Sequence, residues 1–133
     1  MREQKVLKID FSRRRLRERA EKYYDEGNYL SALRFTYKEM SLYGGDGETY
    51  TMLSDIYENM ELYSSAVNCW FRFMDNCTGE DLPDIYEGLA VNYLNMGNEA
   101  QSAFYYNKLI DADDELTEEN KEEIAEAFSG SRR

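Results

Sequence analysis

Histidine is absent from the chain, and proline occurs once. Without an imidazole, the Ser-His-Asp triad, the Cys-His pair and His-ligated zinc are excluded. Two cysteines in 133 residues are no disulfide framework. Cys69 and Cys77 fall in what reads as one helix, about 12 Å apart along its axis and too far to bridge. No apolar run approaches the roughly 20 residues of a membrane span, and MREQKVLKID lacks the long apolar stretch of a secretory signal. Positive charge is also short: 16 Lys and Arg face 27 Asp and Glu, for a formal net charge of −11. These shortages predict a protein of a reducing, cytoplasmic compartment with no membrane segment. What is present is one domain's length, 42% apolar residues and 12 tyrosines, enough to bury a core despite the acidity.

The charge is uneven. Residues 1–20 hold eight basic residues (Arg2, Lys5, Lys8, Arg13, Arg14, Arg15, Arg17, Arg19) and three acidic ones, a net of +5 that leaves −16 on the remaining 113. The plain reading is a solvated first helix. The functional one is an interaction arm, or an intramolecular clasp onto the acidic body.

A repeat runs through the chain. Glu61 follows Gly27 by 34 residues, and Gly97 follows Glu61 by 36. Small residues recur before these positions (Ala20, Ser54, Ala90) and after them (Ala32, Ala66, Ser102). Tyrosines recur four residues earlier (Tyr23, Tyr57, Tyr93), and large residues recur in two of the three registers farther on (Thr36, Trp70, Tyr106). Each unit makes sense as a helical hairpin. The glycine ends one helix, because only glycine takes the left-handed C-cap without a Cβ penalty. The small residues let two antiparallel helices approach closely.

This residue set resembles the tetratricopeptide repeat, over about residues 13–116. The resemblance implies an all-α fold, a right-handed superhelix of antiparallel hairpins at 13–46, 47–80 and 83–116. A capping helix at 117–129 and a tail at 130–133 would follow. The closing proline typical of the repeat is missing. Arg19 stands where later repeats have Leu53 and Leu89, and Glu39 where they have Phe73 and Leu109. That polarity is expected of a terminal unit whose outer face meets water. The helices map to about 13–26, 29–42, 47–60, 63–77, 82–96 and 99–112. Ser12 is a candidate N-cap, and Pro83 sits near a helix start, where its missing N–H costs nothing. Thr117 can cap a seventh helix, 118–128. Residues 1–12 read as a basic arm, extended or briefly strand-like.

Three motifs are weighed and set aside. Residues 111–122 space their carboxylates like a calcium-binding loop, but Leu116 stands where the turn needs glycine. Gly44-Gly45-Asp46-Gly47 has no Lys-Ser/Thr after it, so it is a connector and no phosphate loop. Cys69, beside Trp70, reads as core, and neither cysteine has a nearby base. No cofactor, metal or catalytic residue is assigned, and an enzyme is not expected.

The resemblance implies that the first helix of each hairpin lines a concave, partner-binding surface. Repeat one contributes Arg14, Arg17, Glu21, Tyr24 and Asp25. Repeat two contributes Glu48, Thr51, Asp55, Glu58 and Asn59, and repeat three Asp84, Glu87, Val91, Leu94 and Asn95. The expected groove is acidic with a positive lip. It favours a basic or mixed-charge peptide or protein surface and disfavours nucleic acid. Relatives that grip a terminal carboxylate use Lys, Asn and Arg on these helices. Here Arg17 fits, but Glu21, Met52, Asp84 and Gly88 stand where Asn, Asn, Lys and Arg are expected, so acidic chaperone tails should not bind. The second functional reading is a homo-oligomer, in which the basic head of one copy docks on the acidic groove of another.

Overall fold

The computed structural model describes residues 2–112 together with 122, 123 and 126, with side chains from Ser12 onward. The elements are α1 (Arg2–Asp25), α2 (Tyr29–Tyr43), α3 (Gly47–Asn59), α4 (Tyr63–Met74), a 3₁₀ turn (Gly79–Asp81), α5 (Leu82–Asn95) and α6 (Glu99–Ala112). No strand occurs among the described residues. Short turns join α1 to α2, α3 to α4 and α5 to α6 as hairpins, and α2 packs on α3 and α4 on α5. The result is an all-α stack of three hairpins.

The hairpins close where the repeat pattern places them. All six recurrent small residues are buried: Ala20, Ser54 and Ala90 on the first helices, Ala32, Ala66 and Ser102 on the second. The two serines place their hydroxyls on main-chain carbonyls, one within its own helix and one across the hairpin. Ser54 Oγ donates to the Tyr50 carbonyl at 2.9 Å, and Ser102 Oγ crosses its hairpin to the Ala90 carbonyl at 2.8 Å. Tyr50, Val67, Trp70, Phe73, Ile85 and Leu89 form the core between the second and third hairpins. Each fully buried residue of this size stabilises the fold by about 1.5–3 kcal/mol. Pro83 lies in the first turn of α5, as its missing N–H requires.

The turns themselves differ. Gly27 and Gly97 have φ of +77° and +79°. The amides that follow bond back across the helix end, Asn28 N–H to the Tyr23 carbonyl at 2.8 Å and Asn98 N–H to the Tyr93 carbonyl at 2.9 Å. Asn28 and Asn98 then accept the amides of Ser31 and Gln101 with their side chains. The middle hairpin makes the same backbone turn with neither residue. Glu61 takes φ +60°, and Leu62 precedes α4 with no side-chain cap. Glu61→Gly with Leu62→Asn is therefore expected to raise stability by about 1–2 kcal/mol in urea unfolding, from a relieved left-handed residue and a restored cap.

Four expectations are corrected. Residues 2–11 are no extended or strand-like arm: α1 is one helix of 24 residues. Nothing in the first 26 residues is glycine or proline, so no residue stops it, and Val6, Ile9, Leu7 and Phe11 suit helical spacing as well as a strand. Ser12 consequently lies inside the helix and caps nothing. Glu39 does not face water: it is 1% exposed. α4 ends at Met74, so Cys77 lies beyond it. The acidic segment 113–121, the tail and most of the expected helix 118–128 lie outside the described residues; Glu122, Glu123 and Glu126 are helical and exposed.

Candidate functional site

Three adjoining hollows run along one side of the stack, walled by the first helix of each hairpin. The first, of about 500 Å³, lies among Arg13, Arg14, Arg17, Glu18, Glu21 and Glu48. The second, of about 570 Å³, shares Glu21 and Glu48 and adds Thr51, Asp55, Phe73, Asp81 and Asp84. The third, of about 380 Å³, shares Thr51, Asp55 and Asp84 and adds Glu58, Trp70, Glu87, Gly88 and Val91. Ten of the expected groove residues line this surface: Arg14, Arg17, Glu21, Glu48, Thr51, Asp55, Glu58, Asp84, Glu87 and Val91. Tyr24 and Asn59 meet each other, Asn59 Nδ2 donating to the Tyr24 hydroxyl at 2.9 Å. Asp25, Leu94 and Asn95 do not line the three hollows; Asp25 and Asn95 are exposed at helix ends and Leu94 is half-buried.

The two ends of the groove differ in how their charge is satisfied. At the α1 end, Arg13 and Arg17 stand one turn apart on one helix face. Both donate through Nε to Glu39 Oε2 at 2.8 Å. Arg17 also binds Asp46, and it binds Glu48 Oε2 at 2.7 Å. Arg13 reaches Asp46 at 3.0 Å and the Gly44 carbonyl at 3.0 Å. Asp46 meanwhile caps α3, accepting the Thr49 amide at 3.1 Å. One ionic cluster thus ties α1, α2 and the start of α3 together. Burial alone would raise the Asp46 carboxyl, but the bonds from Arg17 and from the Thr49 amide outweigh it and hold the group below its ordinary value. Burial likewise disfavours the Arg17 cation, and its bonds to Asp46 and Glu39 reverse that and raise it. The expected positive lip is therefore spent within the chain as far as Arg17 is concerned, while Arg14 stays exposed.

The α3–α5 end differs in its ion pairing. Among the described residues, Asp55, Glu58, Asp84 and Glu87 form no ion pair. Burial, and then the neighbouring charge of Glu58, push the Asp55 carboxyl above its ordinary value. The groove's uncompensated negative charge is concentrated here.

Several features of this surface were not singled out from sequence. Trp70 forms part of its floor, and Asp81 part of its wall. Gly88 is more than a missing arginine. A Cβ there would meet the Trp70 ring at 2.2–2.6 Å, so the glycine seats the indole. A 34-residue period aligns positions but does not show which side chain fills the space above its neighbour. The rest of the chemistry is sparse. Burial pushes the Cys69 thiol up, away from thiolate, and no cluster of three or more His, Cys, Asp or Glu suited to a metal ion occurs among the described residues. No described helix is long and apolar enough to cross a membrane.

A family model described as tetratricopeptide repeat matches residues 83–116, the hairpin of α5 and α6. No curated protein and no solved structure matches the chain.

Proposed function

We propose, from the match of residues 83–116 to the tetratricopeptide repeat and the like stacking of the other two hairpins on α5 and α6, that the chain is a scaffold that holds a basic or mixed-charge peptide or protein surface in its acidic groove. The repeat is a protein-interaction module. The observation that carries the finer reading is the group of carboxylates between α3 and α5 that forms no ion pair among the described residues, with Asp55 held above its ordinary value by burial and then by the charge of Glu58. A bound basic side chain would supply a counter-charge.

Self-association through the basic N-terminal segment is less favoured. Arg13 and Arg17 are engaged with Glu39, Asp46 and Glu48 of their own chain and would have to leave them to reach another copy's groove. Nucleic acid is disfavoured by the same unpaired carboxylates.

The test is charge reversal. Asp55→Lys with Glu58→Lys is expected to weaken binding of a captured basic partner at least about tenfold, the scale of one lost charge-assisted contact or more. Equal binding by the variant moves the site elsewhere. An acidic, chaperone-type tail peptide serves as the contrast and is expected to show no heat in calorimetry at micromolar concentrations.

A further inference from the structure

From Glu26 to Ala112 the chain holds four basic residues, Arg34, Lys38, Arg72 and Lys108, and every one lies on the second helix of a hairpin. All four are exposed and none lines the three hollows. None forms an ion pair among the described residues. Three of them keep the register of the repeat: Lys38, Arg72 and Lys108 follow Gly27, Glu61 and Gly97 by 11 residues each. Arg72 comes just two residues after Trp70, which puts it about 200° around α4 from the groove floor. Rings steady two of the charged heads without neutralising them. Arg72 lies 5.7 Å from the centre of the Tyr50 ring, and Lys108 lies 5.1 Å from that of Phe104. Apolar surface gathers on the same side. Leu30, Tyr37, Leu42 and Phe104, four of the six exposed large apolar residues, lie on second helices, and none of the six lies on a first helix. Exposed apolar side chains collected among cations suit a protein contact better than a solvated charge run.

We propose that this outer face is a partner of the groove itself: the second helices of one copy seat in the acidic groove of the next. The proposal rests on the acidic-groove reading above and names the basic protein surface that the groove takes. The two faces are opposite in sign, with Lys38, Arg72 and Lys108 outside and Asp55, Glu58, Asp84 and Glu87 inside. They are stepped by the same hairpins. Glu21 and Asp55 stand 6 residues before Gly27 and Glu61, so the groove carboxylates recur by hairpin as the outer cations do. Both faces also carry apolar surface, which in the groove comes from Met52, Phe73, Trp70 and Val91. One surface of a copy meets a different surface of its neighbour, so the contact is heterologous. A pair therefore keeps one free groove and one free outer face, and further copies add in series. Each chain has a net charge of −11, so whole copies repel and concentrated protein is needed to bring the faces together.

The test is the mass of the full chain in sedimentation velocity, from micromolar to millimolar protein. It is expected to climb with concentration and to pass the dimer. Lys38→Gln with Arg72→Gln neutralises the outer face, and Asp55→Asn with Asp84→Asn neutralises the groove. Each pair is expected to weaken self-association at least about tenfold. Mixed together, the two variants are expected to form a one-to-one dimer and nothing larger, because one keeps only its groove and the other only its outer face. Lys38→Gln alone, at an exposed position, should act in the same direction and guards against a loss of folding where Arg72 leaves the Tyr50 ring. A chain that stays monomeric throughout, association untouched by either pair of changes, or a mixture that assembles no better than its parts overturns the inference. A blocked Ala-Arg-Ala-Arg-Ala-Arg-Ala peptide separates that failure from failure of the groove reading. Calorimetric binding of the peptide by a monomeric chain leaves the acidic groove standing, and no binding by a monomeric chain removes both.

Discussion

Replacing Arg13 and Arg17 together by methionine is expected to lower the unfolding free energy by about 3–5 kcal/mol, the scale of stranding a buried charge. Glu39 is 1% exposed and receives the Nε of both arginines on one oxygen. Either arginine alone leaves it one partner, so each single substitution should cost distinctly less than half of the pair. The control is a third change, Glu39→Phe, which installs the residue found at the equivalent Phe73. With no charge left to strand, the triple variant should regain most of the loss, because a buried ionic group exchanged whole for apolar side chains is often neutral. Urea unfolding of the four proteins checks this; a triple variant no more stable than the double one would show that the arginines stabilise mainly through Asp46 and the turn carbonyls. Acid titration gives a second readout. The Asp46 carboxyl lies below its ordinary value of 3.8 when folded. Its share of stability is thus present above that pH and is lost as pH falls through the depressed value. Removing the arginines should shrink this acid-side loss.

Gly88→Ala is expected to cost about 2–3 kcal/mol, although alanine is the better helix former by about 1 kcal/mol. The new methyl would fall 2.2 Å from Trp70 Cε2. The indole cannot step aside cheaply, because it is packed with Tyr50, Val67, Phe73, Ile85 and Leu89. Trimming the ring in the same background, with Trp70→Leu, should return part of the loss, so that the two changes together cost less than the sum of their separate effects. A double-mutant cycle by thermal or urea unfolding reads this coupling directly. Additive losses would mean that the ring and the glycine are not in contact.

Most of the architecture was legible because its determinants are local and repeat. Gly27 and Gly97 mark two of the three turns, and the paired small residues mark where helices meet, so the described helix ends other than the start of α1 fall within a few residues of their places. The choice of the first helices as the groove wall came from the resemblance to the repeat, and ten of the fifteen positions named on them line the hollows. Much of what escaped the sequence has one physical character: contact between residues far apart in the chain. Glu39 looked solvent-facing because a carboxylate at an apolar repeat position usually is. Its burial depends on Arg13, 26 residues away, and Arg17, 22 away. The signal was there in two arginines spaced by one helical turn and one acid displacing Phe73 and Leu109, but only packing shows that they meet. The start of α1 escaped for another reason. Val6, Leu7, Ile9 and Phe11 suit a strand by type and a helix by spacing, and no breaker decides between them.

The ionic cluster at α1 also determines which end of the array loosens first. In a stack where each hairpin touches only its neighbours, stability divides into interface terms that need not respond alike. The junction of the first and second hairpins draws on charges, and its Asp46 and Glu48 members are open enough for ions to screen. The junction of the second and third is aromatic and aliphatic, and salt leaves it untouched or tightens it. Raising ionic strength should therefore fray the molecule from α1 while α3 to α6 stay closed, visible as faster amide exchange in α1 and α2 alone. Cooling works on the apolar junction instead. Two solvent variables thus act on opposite ends of one small protein.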